Sequence, residues 1–384
     1  FKVQEYLSGT NLAVLENGVN NLRNGKGAIY IYSAGNSFST NSTADCGTDL
    51  ACAETIIDNT KNQPYTIPVA ALNADGTKTS YSTPGASVWI SGFGGESGYD
   101  SSIFPGATGV LDDTAIMTID RSSCSLGYSR SGATYIYGKN KFNLALDFTE
   151  QATLNPNCNY TSHFNGTSAA APSVSGVVAL MLEANSDLTW RDVKHILATT
   201  ADKIDSSKSY DLFGVNQYKW IENSAGYEHH KWYGFGKVDA AEAVTTAQSY
   251  TANSRGTFAT VSGTGVPNSV IANDGTTNTD TISITKPSGS NNFVEYVKVH
   301  IKFDHDVPRG LGIRLLSPDG TIIPIMQPGT NISPDSSGVQ FDIGIAGFYG
   351  ESIEGNWTIA INDYTSSDNI DGSFVGWNIY VSGN

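Results

Sequence analysis

Zinc-type spacing, a membrane-length apolar run and an excess of positive charge are all missing from this sequence. Its 384 residues include only six His and four Cys. No Cys-x-x-Cys pair occurs and no His-x-x-x-His stands beside the cysteines, which excludes a zinc site of ordinary spacing. The longest apolar stretch, around residues 177–182, falls far short of the ~20 residues a membrane helix needs. Lys and Arg number 22 against 37 Asp and Glu, for a net charge of −15. A field of that sign repels nucleic-acid phosphates and anionic lipid, so neither nucleic acid nor membrane is expected as a partner. The plain meaning of the acidity is solubility outside the cell; a preference for basic peptides must be argued from a site. No signal-type segment is present, and the chain opens at Phe1, as a processed product or a fragment would.

The four cysteines, Cys46, Cys52, Cys124 and Cys158, are read as two disulfides formed in an oxidising compartment, most simply Cys46–Cys52 and Cys124–Cys158. Three connectivities are open to four cysteines, and buried free thiols are the bland alternative. What is plentiful is glycine, 40 residues, with many Ser, Thr and Asn, which predicts numerous turns and much β-structure. The length suits two domains.

Along residues 11–23, Leu12, Leu15, Val19 and Leu22 recur at helical spacing, and a glycine-rich turn follows at 24–27. Residues 28–32, 65–72 and 115–119 read as buried strands, which with the helices predicts a parallel α/β sheet. Residues 75–108 and 121–163 read as loops and short hairpins; Gly92-Phe93-Gly94-Gly95 lacks the order of a phosphate loop. One helix starts at Thr167-Ser168, a second at the capping box Thr189 to Asp192, and a third near 238–247. Residues 1–250 form the first domain, 251–262 a polar linker, and 263–384 a second domain. There the pattern turns to period two: Val297, Val299, Ile301 and Phe303 alternate with Lys298, His300 and Lys302. Similar strands run through Ile313, Ile359 and Ile379, which predicts a β-sandwich or jelly roll.

The strongest chemical signal is Asn165-Gly166-Thr167-Ser168-Ala169-Ala170-Ala171-Pro172 leading into an apolar helix. A serine at a helix start has free backbone N–H groups beside it and a dipole favouring negative charge. That setting suits an acyl-transfer nucleophile, because attack creates an oxyanion which the serine's own N–H can receive. Pro172 is tolerated near a helix start. Taken alone the motif fits a plain N-cap more often.

The motif together with Val174-Ser175-Gly176-Val177-Val178-Ala179-Leu180 resembles the serine signature of the subtilase superfamily. Leu182-Glu183-Ala184-Asn185 and Leu188 to Val193 are similar to its kexin/furin branch. Ser33-Ala34-Gly35-Asn36 resembles that family's oxyanion segment, and residues 233–240 the end of its catalytic domain. Ser317-Pro318-Asp319-Gly320-Thr321, Tyr349-Gly350-Glu351, Gly355-Asn356-Trp357-Thr358 and Gly376-Trp377 resemble a proprotein-convertase P domain, with Tyr349 where a Trp is usual. The loops between 91 and 165 look closest to bacterial kexin-like proteases of the Aeromonas type. The resemblance implies a secreted or periplasmic serine endopeptidase, with Ser168 acylated and the Asn36 amide donating to the oxyanion. Ser33, Ala34 and Gly35 would line one wall of the P1 pocket. By spacing, Asp58 matches the acidic P1 residue of kexin and furin, which implies cleavage after Lys or Arg. Thr83 stands where furin-like enzymes place a calcium-binding Glu. Structural Ca2+ is implied, with most of its ligands ahead of Phe1 and the metal ligands in this chain unknown.

The family's Asp and His precede the segment that begins here. His163 lies five positions before Ser168 without the usual His-Gly-Thr setting; His195 falls in a helix, His229 and His230 in a polar loop, and His300 and His305 in the second domain. Without a base serine is a weak nucleophile, so the chain alone is expected to be inert. Three readings follow: the C-terminal portion of a protease completed by an N-terminal chain carrying Asp and His, a non-catalytic binding module, or a peptide ligase. The first is preferred, because Ser168 and Asn36 are both present. Its partners would be protein or peptide substrates, the companion chain, and a propeptide or chaperone.

Overall fold

The computed structural model describes residues 4–5, 7–38, 50–102, 104, 114–130, 139–140, 142–144, 153–212, 214–332, 338–364 and 371–384. Helix α1 (Gly9–Asn21) is capped by Ser8, whose side chain accepts from the Asn11 N–H, and it buries Leu15 and Val19. Strands β1 (Tyr30–Ser33), β2 (Thr66–Leu72) and β3 (Ile90–Phe93) form a parallel sheet with β2 in the middle. Every residue of β2 is buried, as a strand covered on both faces requires.

The sheet differs from the expectation in one strand. Residues 115–119 supply β4 (Ile116–Ile119), which pairs antiparallel with β5 (Tyr160–Phe164) in a separate ribbon and leaves Met117 and Ile119 exposed. The third parallel strand is β3, drawn from the glycine-rich stretch read as loop. A Cβ at Gly92 would lie 2.8 Å from both the Ala170 carbonyl oxygen and the Ser173 Oγ. At Gly92 the strand can press this closely on the helix only without a side chain.

That helix is α2 (Thr167–Ala184), which lays Ala170, Val174, Val178 and Met181 into the core beside β1, β2 and β3. It is long and apolar enough to cross a membrane by composition alone, yet here it forms the core of the sheet's cover. Pro172 sits inside it, in the second turn. Lacking an N–H, Pro172 leaves the Ser168 carbonyl without its i→i−4 donor. Helix α3 (Trp190–Thr199) opens with the expected capping box: Thr189 accepts from the Asp192 N–H and Asp192 accepts from the Thr189 N–H. Two short hairpins, β6 (Tyr210–Leu212) with β7 (Val215–Tyr218) and β8 (Ile221–Glu222) with β9 (Glu228–His229), precede α4 (Ala240–Ser249), which packs on α2.

The second domain is a sandwich of two antiparallel sheets. Strands β10 (Ala259–Gly265), β11 (Ser269–Ile271), β13 (Val294–Asp304), β16 (Val339–Ile345) and β18 (Gly372–Gly383) form one, in the order β10-β18-β13-β16 with β11 also on β18. Strands β12 (Asn278–Ile284), β14 (Leu311–Leu316), β15 (Ile322–Met326) and β17 (Gly355–Asp363) form the other, in the order β12-β17-β14-β15. Val297, Val299, Ile301 and Phe303 meet Ile313, Leu315, Ile359 and Ile361 in one core with Trp357 and Trp377. Strand β10 begins inside the stretch 251–262 read as linker and pairs with β18 from Ala259↔Gly383 onward.

Charged and aromatic side chains join the two domains. Glu54, buried and ion-paired with buried Lys231, also accepts from the Gln327 N–H and the Thr330 hydroxyl. Arg191 of α3 donates to Glu295 of β13 and, at 2.6 Å, to the Gly256 carbonyl. Tyr349 is enclosed by Trp89, Tyr227, Phe235 and Phe293, and its hydroxyl lies 3.0 Å from His195 Nδ1.

Candidate active site

The site forms where the chain leaves β1 and where α2 begins. After Ser33 the chain passes through buried Ala34 to Gly35, whose φ of +115° is open to glycine without strain. Exposed Asn36 follows. At the other element Gly166 holds φ +103°, Thr167 is fully buried, and Ser168 is exposed as the second residue of α2, a position whose N–H has no intrahelical acceptor.

Thr167 ties the two segments together. Its hydroxyl accepts from the Gly35 N–H at 3.1 Å and donates to Asn36 Oδ1 at 2.8 Å, while its backbone N–H donates to the same oxygen at 2.9 Å. With two donors on Oδ1, the amide plane is set and Nδ2, a double donor, is left beside the helix start. A Cβ at Gly166 would come within 3.2 Å of that nitrogen, so glycine lets the amide close on the turn. Behind it, the Tyr81 hydroxyl accepts from the Gly166 N–H at 2.8 Å and donates to the Gly95 carbonyl at 2.5 Å. Burial pushes the Tyr81 phenol up to about 12, which keeps its proton in place as donor. A serine hydroxyl flanked by a helix-terminal N–H and a fixed amide is an arrangement able to receive an oxyanion.

Asp58 sits on the same side of the site, but not as a bare carboxylate. It caps the short 3-10 turn Asn59–Asn62, its Oδ1 accepting from the Thr60 N–H, and its Oδ2 lies 3.1 Å from Lys61 Nζ. In a 3-10 turn side chains three apart eclipse, so this pairing follows from local geometry. The Lys61 ammonium lies 3.5 Å from where a Cβ on Gly35 would stand. Thr83 is buried there too, its Oγ1 accepting from the Ser37 N–H at 2.9 Å. A calcium ion is poorly served at this point: the Thr83 hydroxyl is neutral and engaged, and both it and the Lys61 ammonium stand within 3.5 Å of where a Gly35 Cβ would be. Among the described residues no group of three or more His, Cys, Asp or Glu side chains could hold a metal ion.

The histidines are engaged elsewhere. His163, within β5, stacks on Tyr128 with ring centroids 4.3 Å apart, and burial lowers its pKa. His195 meets Tyr349. His229 and His230, read as lying in a polar loop, are buried: His229 Nε2 lies 2.9 Å from the Val88 carbonyl and His230 Nδ1 accepts from the Trp232 N–H. His300 pairs with Asp342 and His305 with buried Asp363. Cys124 and Cys158 form the expected disulfide. Cys52 is also disulfide-bonded, and its expected partner Cys46 lies outside the described residues.

Thr167, Tyr81 and Lys61 were not singled out from the sequence. Thr167 could have been, since it stands inside the serine motif, and Lys61 is three residues from Asp58. Tyr81 carries no sequence signal.

Known proteins are similar to this chain over both of its parts. The Subtilase family model matches residues 6–236, more than half of the chain, and the Proprotein convertase P-domain model matches 294–381. The extracellular serine protease of Aeromonas sobria is 29% identical over 379 residues, covering 88% of this chain and 55% of its own length. Human proprotein convertase subtilisin/kexin type 6 is 25% identical over 354 residues, 91% of this chain and 29% of its own. The chain thus spans about half of the Aeromonas relative or less than a third of the human one. The crystal structure of the Aeromonas sobria serine protease superposes with a TM-score of 0.80 at 24% identity, covering 100% of this chain and 70% of that one; its complex with a chaperone gives 0.81. With the Subtilase model matching more than half of its length, the chain belongs to the subtilase family, and it carries a proprotein convertase P-domain.

Proposed function

We propose that this chain is the larger part of a serine endopeptidase that hydrolyses peptide bonds through an acyl-enzyme on Ser168. The observation that supports it is the double hydrogen bond from Thr167 to Asn36 Oδ1, which holds a neutral amide donor beside the helix-start serine. Ser168 Oγ attacks the scissile carbonyl and its proton passes to a histidine base. The carbonyl oxygen becomes an oxyanion received by the Ser168 N–H and Asn36 Nδ2. The histidine returns the proton to the departing amine, and water repeats the sequence on the acyl-serine.

The base and its aspartate come from an N-terminal portion, and catalysis waits on that portion. The placement of all six histidines in other contacts supports this division. Structural calcium would belong mostly to the same portion, because residues near Thr83 do not suit it. Asp58, beyond the wall of Ser33, Ala34 and Gly35, directs cleavage after basic P1 residues. We assign residues 1–250 to the catalytic domain and the remainder to linker and P domain. Secretion, and a propeptide or chaperone that assists folding, accord with the extracellular relative and with the chaperone-bound Aeromonas sobria protease.

The test is covalent labelling. A fluorophosphonate applied to the protease that includes this chain should modify Ser168, located by peptide mass mapping, and Ser168→Ala should remove label and turnover together. Modification of another serine with activity retained by Ser168→Ala would end the assignment.

A further inference from the structure

A cation already stands at the base of the proposed P1 wall. Lys61 Nζ and Asp58 Oδ2 are 3.1 Å apart, with side chains only 13% and 23% exposed. Ion pairs this far from solvent are screened less than surface pairs. The partners are tethered three residues apart on one turn, so the pair re-forms without searching. The ammonium also lies against Gly35, the residue before the oxyanion asparagine, 3.5 Å from its absent Cβ. Other groups close the surroundings. The Tyr32 phenol is pushed up by burial first and by the Asp58 charge second, and the Glu5 backbone brackets Asp58, its N–H donating to Ile57 and its carbonyl accepting from Asn59. Asp58 Oδ1 is engaged by the Thr60 N–H, so Oδ2 is the oxygen a substrate cation would use, and Lys61 holds it.

We propose that Lys61 is a specificity-determining residue whose ammonium acts as an intramolecular competitor for the Asp58 carboxylate. This rests on the assignment of Asp58 to the P1 pocket. A P1 Arg or Lys must displace Lys61 from Oδ2 or crowd a second cation beside it. A neutral P1 side chain faces neither penalty. The preference for basic P1 residues is therefore weaker than a bare carboxylate would give, and Lys61 sets how much weaker.

The experiment measures kcat/KM of the active protease on matched peptides with P1 Arg, Lys, Gln and Phe. It adds inhibition by p-aminobenzamidine, which mimics a P1 cation without needing turnover. Lys61→Met keeps the apolar stem and removes the charge. It should raise kcat/KM for P1 Arg about tenfold and tighten p-aminobenzamidine by a like factor. P1 Phe should be unchanged, and Lys61→Arg should restore native selectivity. If Lys61→Met leaves P1 Arg unchanged or slower while Asp58→Asn lowers it, Lys61 is not a competitor although Asp58 still reads P1. If Asp58→Asn alone leaves P1 Arg unchanged, the pocket assignment itself fails. Should Lys61→Met fold poorly, Lys61→Gln also removes the charge, and its Arg-to-Phe ratio decides between the same outcomes.

Discussion

Asn36 is held by its oxygen, and the role proposed for it falls on its nitrogen, which makes its variants informative at the residue scale. Asn36→Ala removes the donor, and because an oxyanion exists chiefly in the transition state the loss should fall on kcat. A drop of about 10²–10³ in kcat with little change in KM is expected, the usual effect of losing one oxyanion donor. Steady-state kinetics decide it: an effect mainly on KM would mean that Asn36 binds ground-state substrate. Asn36→Asp keeps the acceptor for Thr167 but replaces the donor with negative charge, so it should be at least as slow. Ser168 and Asn36 stand as candidates in the sequence through two separate segments, 165–172 and 33–36, by their family resemblance. Neither segment shows that Thr167 fixes the amide, since that bond joins residues 131 apart.

Among elements, the contact between β3 and α2 decides where Ser168 stands. Gly92 meets the Ala170 carbonyl, and a Cβ at Gly94 would fall 2.6 Å from Ala71 Cβ and 2.8 Å from the Gly166 oxygen. Gly92→Ala should therefore push α2 off the sheet, costing about 1–3 kcal/mol as overpacking does. Urea unfolding should register that cost, and fluorophosphonate labelling at Ser168 should slow. A variant of native stability and labelling rate would show that the helix has room to shift. Strand β3 is hard to read from sequence for a related reason, because it is only four residues long and has Gly92 where it meets α2, which leaves no run of apolar residues. Strand β4 errs the opposite way: its apolar residues look buried in one dimension, yet Met117 and Ile119 face outward on a two-stranded ribbon.

At the scale of the whole molecule, the P domain shares buried charge with the subtilase domain. Glu54 takes an ion pair from Lys231 and hydrogen bonds from Gln327 and Thr330, so Lys231→Met leaves an unneutralised carboxylate where the domains meet. Such a break costs about 3–5 kcal/mol. Differential scanning calorimetry should show a lowered midpoint, and ending the chain near Thr251 should lower it at least as far. An unchanged midpoint with lost binding of one protein substrate would instead make the P domain a targeting module.

Acid should loosen the same molecule. Burial lowers His195 and His229 to about 4 and His230 to about 3. In the unfolded chain each titrates near 6.5. Between those values the unfolded state binds protons that the folded state refuses, so stability falls as pH drops through 6.5 and is regained above it. Urea midpoints should decline from pH 7 to pH 5, and His195→Gln should make the decline shallower by one histidine's share. A midpoint independent of pH in that range would mean that the buried histidines gain protons without unfolding.

Local sequence by itself determined the period-two strands of the sandwich, the helix opening at Thr167 and the capping box of α3. Each of these depends on spacing within a few residues, where side-chain direction follows directly from backbone period. The nucleophile candidate was legible for the same reason, as a contiguous motif at a helix start. Tertiary structure alone decided the partners of those residues: Tyr81 beneath Gly166, Tyr349 against His195, and Lys61 beneath Gly35. These contacts join segments whose separation along the chain carries no periodic signal, and packing selects them only once the sheet and helices have closed on one another.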